Sequence, residues 1–289
     1  MGIKIQTIKD IRFYLSRELN GAYPAEEIKA ITNIIIRHVL EITRPHHAYL
    51  NDRSVDNEQA SKIMNITGAL KSGKPIQYVL GETIFYDCII KLNSSTFIPR
   101  PETEELVDHI IDENRGYKGN IIDYCTGSGC IAIAMALNLP GSSVTGTDIS
   151  GEALMIADEN ARLNNAKIKF LQDDVLNSET DRFEKAGLIV SNPPYIRNSE
   201  KRLMNKNVLD FEPHSALFVE DSDPLVYYRG ILNNAVKLLE PTGKIYFEIN
   251  ERLGNSMIQL LDSFGFCDIK IVTDINGKAR IVKGIKYGG

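Results

Sequence analysis

The stretch Asn120-Ile121-Ile122-Asp123-Tyr124-Cys125-Thr126-Gly127-Ser128-Gly129 decides the fold, because a short apolar strand runs directly into a glycine-containing loop. Alanine-rich sequence that favours a helix follows from Ile131 to Leu139, and a second strand is predicted from Ser143 to Asp148. A strand, a glycine loop and a helix in this order are typical of α/β sheets, in which glycine lets the backbone turn and approach a ligand closely.

The alternation of strands and helices continues towards the end of the chain. Further strands are predicted at Ile168 to Leu171, Leu188 to Val190 and Lys244 to Ile249, with a helix at Ala153 to Leu163. This order predicts a doubly wound, mainly parallel sheet. Asn276-Gly277 lies between two β-prone runs and predicts a hairpin, so the sheet is expected to end in an antiparallel pair.

The first part of the chain predicts a small helical domain over residues 1–75. Ile8, Ile11, Leu15 and Leu19 recur at helical spacing after Thr7, a predicted N-cap. Another helix is expected to begin after its cap at Asp56 and to run towards Leu70. Residues 76–98 are β-prone and are expected to form a hairpin linker, which leaves 99–289 as the α/β domain.

Composition and charge restrict the class of protein. Hydrophobic residues make up 43% and charged residues 25% of the 289 residues, which is ordinary for a globular protein. The sequence has no run long enough for a membrane helix and no signal peptide at Met1-Gly2-Ile3-Lys4-Ile5, so a cytoplasmic location and no membrane partner are expected. The four cysteines lack zinc-binding spacing, and no metal site is predicted.

The net charge of −5 is unevenly distributed. Residues 1–75 carry 11 Lys+Arg and 8 Asp+Glu, which gives +3, whereas the remainder of the chain is at −8. Proteins that grip a nucleic-acid backbone usually have a basic footprint. The larger part of this chain shows none, which disfavours nucleic acid as a partner.

The predicted cofactor site lies at the carboxyl ends of the first three strands of the sheet. Thr126-Gly127-Ser128-Gly129 is expected to cradle the ligand, Asp148 to accept bonds from ribose hydroxyls, and Asp174 to accept an adenine amino proton. Asp123 is predicted at the tip of the first strand, where it would attract an ammonium or sulfonium but repel a pyrophosphate. The pattern favours S-adenosylmethionine, while dinucleotide binding and a turn without ligand remain alternatives.

Ser191-Asn192-Pro193-Pro194-Tyr195 follows the fourth strand and is predicted to carry the chemistry. An amide nitrogen is a poor nucleophile because its lone pair is delocalised. The side-chain oxygen of Asn192 and the carbonyl of Pro193 are expected to accept its two N–H bonds, and proline presents that carbonyl rigidly. Tyr195 offers a flat face for a planar acceptor. These residues predict methyl transfer by positioning and electrostatics rather than by covalent catalysis.

Alternatives to these interpretations remain. The two prolines can simply form a rigid turn after a strand. A flipped adenine also presents a planar NH₂ group, so this segment does not separate a glutamine from an adenine substrate. Likewise, Pro99 to Glu104 is either a rigid entry into a helix or part of the active site.

Several stretches resemble those of the release-factor glutamine N5-methyltransferases, the PrmC/HemK family. They are Phe97-Ile98-Pro99-Arg100-Pro101-Glu102-Thr103-Glu104, Gln77-Tyr78 with Gly81, Thr126 to Ala132, Ser191 to Ile196, and Glu212-Pro213 with Ala216-Leu217. The resemblance covers nearly the whole chain. Asn192-Pro193-Pro194-Tyr195 alone is shared with adenine methyltransferases, whereas its combination with the block at 97–104 and a helical N-terminal domain is much narrower.

The resemblance implies a Rossmann-like class I methyltransferase sheet with a small all-α N-terminal domain. It further implies methyl transfer from S-adenosylmethionine to the glutamine of the GGQ loop in class-1 peptide release factors, with S-adenosylhomocysteine as product and a role in translation termination. The helical domain would dock the release factor, with no sequence-specific nucleic acid involved. The substrate site implied in this way consists of Arg100, Pro101, Glu102, Thr103 and Pro194.

The remaining alternatives are adenine methylation in nucleic acid, glutamine methylation in a ribosomal protein, a non-catalytic protein that binds S-adenosylmethionine, and a dehydrogenase. Cys125 stands where the family usually has a glycine, and Asn250 replaces an expected glycine after Glu248. The side chain of Cys125 is expected to narrow the cofactor pocket or to shift the backbone.

Overall fold

The computed structural model describes residues 4–42 and 51–288. Its helices are α1 (Ile8–Glu18), α2 (Ala25–Leu40), α3 (Asn57–Lys71), α4 (Ile76–Leu80), α5 (Pro101–Glu113), α6 (Cys130–Asn138), α7 (Gly151–Leu163), α8 (Lys206–Phe211), α9 (Val226–Leu238) and α10 (Gly254–Ser263). Its strands are β1 (Glu82–Phe85), β2 (Cys88–Lys91), β3 (Asn120–Tyr124), β4 (Ser143–Asp148), β5 (Ile168–Gln172), β6 (Ala186–Ser191), β7 (Ile196–Arg197), β8 (Phe218–Val219), β9 (Leu239–Glu248), β10 (Phe266–Thr273) and β11 (Ala279–Lys286). Two compact units are present, one formed by residues 1–81 and 206–211, the other by 82–205 and 212–289.

The first unit is helical and has its own core. The side chains of Ile8, Ile11 and Leu15 from α1 are buried in one cluster with residues of α2 and α3. Thr7 caps α1 and Asp56 caps α3, each through a capping box that satisfies free N–H groups of the first helical turn. Both caps confirm the sequence predictions. The helix α8, which was not predicted, belongs to this unit.

The prediction of a β-hairpin over the whole of 76–98 is wrong for its first residues. Residues Ile76–Leu80 form the helix α4, which begins after Pro75 and ends at Gly81 in the left-handed conformation. Ile76 is buried in the core of the helical unit, and Val79 packs against that core, so tertiary packing overrides the β propensity of this stretch. The hairpin itself is confirmed as the antiparallel pair of β1 and β2.

The second unit is built on a seven-stranded sheet with the order β10-β11-β9-β6-β3-β4-β5. The five strands from β9 to β5 are parallel, and β11 pairs antiparallel with both β9 and β10. This confirms the predicted mainly parallel sheet with an antiparallel end. Since β3 lies between β4 and β6, the chain order reverses there, and the topological switch point falls between β3 and β6.

Helices cover both faces of this sheet. Tyr124, Phe247 and Ile122 lie in one buried cluster with Tyr228 and Ile231 of α9. Tyr246 alternates with Phe247 along β9, and its hydroxyl accepts a hydrogen bond from Asn114, the C-cap residue of α5, on the opposite face. The sheet is therefore a buried layer that fixes the positions of the loops at its carboxyl edge.

No helix among residues 4–42 and 51–288 is long and apolar enough to cross a membrane. The cytoplasmic location stays a prediction.

Candidate functional site

The two predicted functional segments meet at the switch point of the sheet. Tyr124 at the end of β3 pairs with Ser191 at the end of β6, and the Ser191 hydroxyl donates a 2.6 Å hydrogen bond to the Tyr124 carbonyl. The glycine loop begins directly after Tyr124, and Asn192 directly follows Ser191. Parallel pairing therefore places the predicted cofactor loop and the predicted catalytic segment side by side.

The glycine loop turns through left-handed backbone conformations. Cys125, Gly127 and Gly129 have φ angles of 58°, 55° and 80°. At Gly129 a Cβ atom would also make a tight contact of 3.1 Å with the Ala157 Cβ, so limited space as well as backbone conformation favours glycine there. Cys125 adopts the left-handed conformation without being glycine, and its side chain packs against the buried cluster that contains Tyr228. The backbone conformation that glycine favours is thus kept at Cys125.

Asp148 ends β4 and holds the loop in place. Its carboxylate accepts hydrogen bonds from the Gly127 N–H at 2.9 Å and from the Ser150 N–H at 3.0 Å. Burial raises the pKa of Asp148, and these backbone donors oppose the rise. Each carboxylate oxygen retains a lone pair for a further donor, which keeps Asp148 suited to hydroxyl groups.

Asp123 lies within β3 rather than at its tip, and its side chain is fully buried. The Thr126 hydroxyl donates to Oδ2 at 2.5 Å, whereas Oδ1 has no hydrogen-bond partner among the described residues. Burial raises the pKa of Asp123 to about 7, and the bond from the Thr126 hydroxyl and the nearby Ala132 N–H oppose this rise. A buried carboxylate with one unpaired oxygen favours a cationic or N–H donor.

Asp123 lies in β3, Asp148 ends β4 and Asp174 follows β5, so the three carboxylates lie at or near the ends of three neighbouring strands. The Asp173 N–H donates to the Asp148 carbonyl at 3.0 Å and ties the ends of β4 and β5 together. The Asp174 carboxylate accepts bonds from the Leu176 N–H and the Asn177 side chain. In this structure Asp174 stabilises its own turn, and its predicted contact with adenine stays a prediction.

The catalytic segment is held by side chains from elsewhere in the chain. Pro193 and Pro194 are buried, and Asn192 is half-buried. The Asn192 Nδ2 donates to the Thr103 hydroxyl at 3.2 Å. The Tyr195 hydroxyl donates to Glu248 Oε1 at 3.0 Å, and burial raises the pKa of Tyr195.

Glu248 is a site residue that sequence reasoning missed. It ends β9 next to β6, is only 2% exposed, and its Oε2 accepts the Thr103 hydroxyl at 2.7 Å. Its position at the carboxyl end of a parallel strand was the available signal. Thr103, predicted to contact substrate, is likewise only 2% exposed and bonds Asn192 and Glu248.

Of the other residues around Pro99 to Glu104, Arg100 makes side-chain contacts, whereas Pro101 and Glu102 lie at the start of α5. The Arg100 guanidinium pairs with Glu212 at 2.5 Å and lies 4.8 Å from the centre of the Phe97 ring. Burial raises the pKa of Glu212, and Arg100 opposes that rise. Pro101 is exposed as the first residue of α5, and Glu102 is half-exposed in its first turn. The block thus joins the start of α5 to both Glu212 and Asn192, which a simple linker would not do.

Comparison with known proteins places this arrangement in a family. Residues 101–210 match the profile described as "Methyltransferase small domain", and residues 11–81 match "PrmC N-terminal domain". The chain is 42% identical over 280 residues to the release factor glutamine methyltransferase of Flavobacterium psychrophilum, which covers 96% of this chain and 98% of that protein. The chain belongs to the release factor glutamine methyltransferase family.

A second member of the release factor glutamine methyltransferase family, from Bacteroides thetaiotaomicron, is 39% identical and covers 94% of this chain and 98% of its own length. Among solved structures, a methyltransferase from Pyrococcus furiosus is similar with a TM-score of 0.50 and 17% identity, covering 81% of this chain and all of that one. At that identity the likeness shows the fold alone, and it confirms the predicted class I methyltransferase sheet.

Proposed function

We propose that this chain transfers a methyl group from S-adenosylmethionine to the side-chain amide nitrogen of the GGQ-loop glutamine in class-1 peptide release factors. S-adenosylhomocysteine is the second product. The family relationship supports the reaction and the substrate, since its members are named for it. The observation that carries the proposal is the placement of Asn192, Pro193 and Tyr195 beside the glycine loop at the switch point.

The residues around the loop fit this cofactor. The unpaired Oδ1 of Asp123 favours a cationic group nearby, and the amino acid part of S-adenosylmethionine carries an ammonium. Asp148 is assigned the ribose hydroxyls and Asp174 the adenine amino group. Thr126, Gly127, Ser128 and Gly129 are assigned the close contact with the ligand, because the left-handed glycines bring the backbone close to it.

When bound, S-adenosylmethionine supplies the electrophilic methyl of a sulfonium ion. The protein holds the acceptor nitrogen: Asn192 Oδ1 and the Pro193 carbonyl each accept one N–H bond, and the Tyr195 ring supports the planar amide. These acceptors also stabilise the positive charge that develops on nitrogen as the methyl is transferred, and the methylated nitrogen then releases one of its two protons to solvent to give the neutral N-methylamide. Arg100, Pro101, Glu102 and Pro194 are proposed to shape the substrate site, Arg100 through its pair with Glu212.

We also propose that the helical unit, which contains residues 1–75, docks the release factor, as the family resemblance implies. The net charge of +3 in these residues suits an acidic surface on the partner. Phe13, 64% exposed on α1 beside Arg17 and Ser16, supplies an apolar contact. We further propose that the hairpin of β1 and β2 is the linker between the helical domain and the methyltransferase domain.

The test is methylation of a purified release factor with labelled S-adenosylmethionine. We expect label on the wild-type factor and none when the GGQ glutamine is replaced by alanine. Persisting label on the alanine variant, or methylated adenine as the product with added nucleic acid, contradicts the proposal.

A pair of variants separates the two halves of the site. Asn192→Ala is expected to lower kcat by about 10²–10³-fold with cofactor affinity nearly unchanged, since it removes an acceptor that acts on the substrate. Asp148→Ala is expected to weaken cofactor binding, measured by calorimetry. Near-normal turnover in Asn192→Ala is the result that contradicts the assigned mechanism.

A further inference from the structure

A chain of hydrogen bonds connects one buried carboxylate to both ends of the catalytic segment. Glu248 Oε2 accepts the Thr103 hydroxyl at 2.7 Å, and Glu248 Oε1 accepts the Tyr195 hydroxyl at 3.0 Å. Thr103 in turn accepts the Asn192 Nδ2 at 3.2 Å. The carboxylate thus holds Tyr195 directly and Asn192 through one hydroxyl.

The direction of these bonds fixes the orientation of the Asn192 amide. An ionised carboxylate can only accept hydrogen bonds, so the single hydroxyl proton of Thr103 is donated to Glu248. The Thr103 oxygen can then only accept a hydrogen bond from Asn192. If the amide were flipped, its oxygen would face the Thr103 oxygen with no proton between them. The oxygen and nitrogen of an asparagine amide are otherwise close in shape, so such a bond is needed to distinguish the two orientations.

Burial makes this arrangement rigid. Thr103 and Glu248 are each 2% exposed, so water does not readily replace a lost partner. The Glu248 backbone carbonyl also accepts the Tyr228 hydroxyl at 2.8 Å, which anchors the end of β9. Thr103 sits near the start of α5, so the helix and the strand approach the catalytic segment from separate parts of the chain.

We propose that Thr103 and Glu248 are positioning residues that hold Asn192 with its Nδ2 on Thr103 and its Oδ1 free to accept an N–H bond from the substrate. The inference rests on the proposed function, in which Asn192 Oδ1 binds the acceptor nitrogen. It assigns Thr103 a role different from substrate contact. It also explains why a threonine is useful within the block Pro99 to Glu104: a hydroxyl both donates and accepts, and a β-branched side chain has few rotamers.

The experiment compares Thr103→Val, which removes the hydroxyl with little change in shape, with Thr103→Ser, which restores it. We expect Thr103→Val to lower kcat about 100-fold, on the scale of a misplaced catalytic group, with the cofactor Kd within twofold of wild type. Thr103→Ser is expected to stay within about fivefold of wild type. Thr67→Val is the matched control, because Thr67 is also buried and its hydroxyl bonds the Ile63 carbonyl in the helical unit.

A second variant, Glu248→Gln, keeps the shape but cannot accept from both hydroxyls, so it is expected to lower kcat in the same way. Calorimetric cofactor binding shows which variants are folded. Wild-type kcat in Thr103→Val, equal losses in the valine and serine variants, or a proportional loss of cofactor affinity each overturn the positioning role.

A readout without substrate separates this inference from the proposed function. The side-chain NH₂ signals of Asn192 in ¹⁵N-labelled protein are assigned by their loss in Asn192→Asp. We expect them to shift in Thr103→Val and to stay near their wild-type positions in Thr103→Ser and Thr67→Val. Unshifted signals in Thr103→Val overturn the positioning role, whereas failure of the wild-type enzyme to label a release factor overturns only the proposed function.

Discussion

The chemistry of single residues in this site depends on carboxylates that the fold has removed from water. Asp123 and Glu248 are fully or almost fully buried, and burial raises the pKa of each. Their hydrogen-bond donors, Thr126 for Asp123 and Thr103 with Tyr195 for Glu248, oppose that rise. Removing a charge from water is costly unless a partner compensates for it. Because the pKa of each is raised, the ionised carboxylates lower the stability of the free protein. They also provide hydrogen-bond acceptors in defined positions near the switch point.

The raised pKa of Asp123 predicts how its contribution to stability depends on pH. The pKa of Asp123 is about 7 in the folded chain and 3.8 in the unfolded chain. At pH values between these two, the folded state therefore binds the proton more tightly than the unfolded state. Stability from this group is present below about pH 4, falls as pH rises to about 7, and is then constant, with a total change on the order of 4 kcal/mol. Urea unfolding of wild type and Asp123→Asn across this range is the measurement.

The difference between the two proteins isolates Asp123 from other titrating groups. We expect the wild type to lose stability relative to Asp123→Asn as pH rises from 4 to 7, and the difference to level off above 7. If Asp123 faces the cationic part of the cofactor, saturating S-adenosylmethionine should also release a proton on binding near pH 6. Parallel stability curves for the two proteins would be the opposite of this expectation.

Residues whose position follows from local pattern were predictable, and residues joined across the chain were not. Asp148 ends one predicted strand and Asn192 follows another, so their place at the sheet edge was expected from the order of elements. Thr103 and Glu248 are 145 positions apart, and their bond depends on α5 lying over the end of β9. Alternation of strands and helices predicts a sheet but does not specify which helix covers which strand end.

At the level of elements, the hairpin of β1 and β2 is bound by two asparagines, Asn160 in α7 and Asn164, the C-cap residue of that helix. Asn160 exchanges hydrogen bonds with the backbone N–H and carbonyl of Lys91, and Asn164 does the same with Ile89. Residues two apart on a strand are separated by about 6.6 Å, and residues four apart on a helix by about 6 Å along its axis. The two side-chain amides therefore match the strand edge and pair its free backbone groups.

The two asparagines differ in burial, which makes them a matched pair. Asn160 is fully buried and its Nδ2 also donates to the Ser128 carbonyl in the glycine loop, whereas the bonds of Asn164 with Ile89 are exposed to solvent. We expect Asn160→Ala to destabilise the protein by about 2–4 kcal/mol, because buried backbone groups lose their partners. Asn164→Ala should cost less than about 1 kcal/mol, because water replaces the amide.

Urea unfolding measures both changes, and calorimetry adds a functional readout. Since Asn160 also tethers Ser128, its alanine variant should bind S-adenosylmethionine more weakly than Asn164→Ala does. Equal destabilisation by the two substitutions would show that burial is not what distinguishes them. The sequence carried no sign of this contact, since the alternation of strands and helices does not specify which strand edge a given helix meets.

At the scale of the whole molecule, the chain contains two units with separate hydrophobic cores. The core of the helical unit contains Ile8, Ile35 and Ile63, and the core of the sheet unit contains residues of β3, β6, β9, α9 and α10. The composition and helical spacing of the first residues predicted a helical region. The inclusion of α8 in the helical unit was not predictable, because its six residues carry no strong periodic pattern and lie between strands of the sheet unit.

Separate cores predict that the two ligands of the proposed reaction protect different parts of the chain. A ligand at 100 times its Kd stabilises the state that binds it by about 2.7 kcal/mol, which slows exchange through full opening of that unit about 100-fold. We expect S-adenosylmethionine to slow amide hydrogen exchange in β3, β4 and β6 and to leave α1 and α2 unchanged. A release factor is expected to slow exchange in α1, around Phe13.

Mass spectrometry of the full chain measures both effects, and Asp148→Ala serves as the control that loses only the protection by the cofactor. Protection of α1 by the cofactor alone would mean that the units unfold together, and no protection of α1 by the release factor would contradict the docking role of the helical unit.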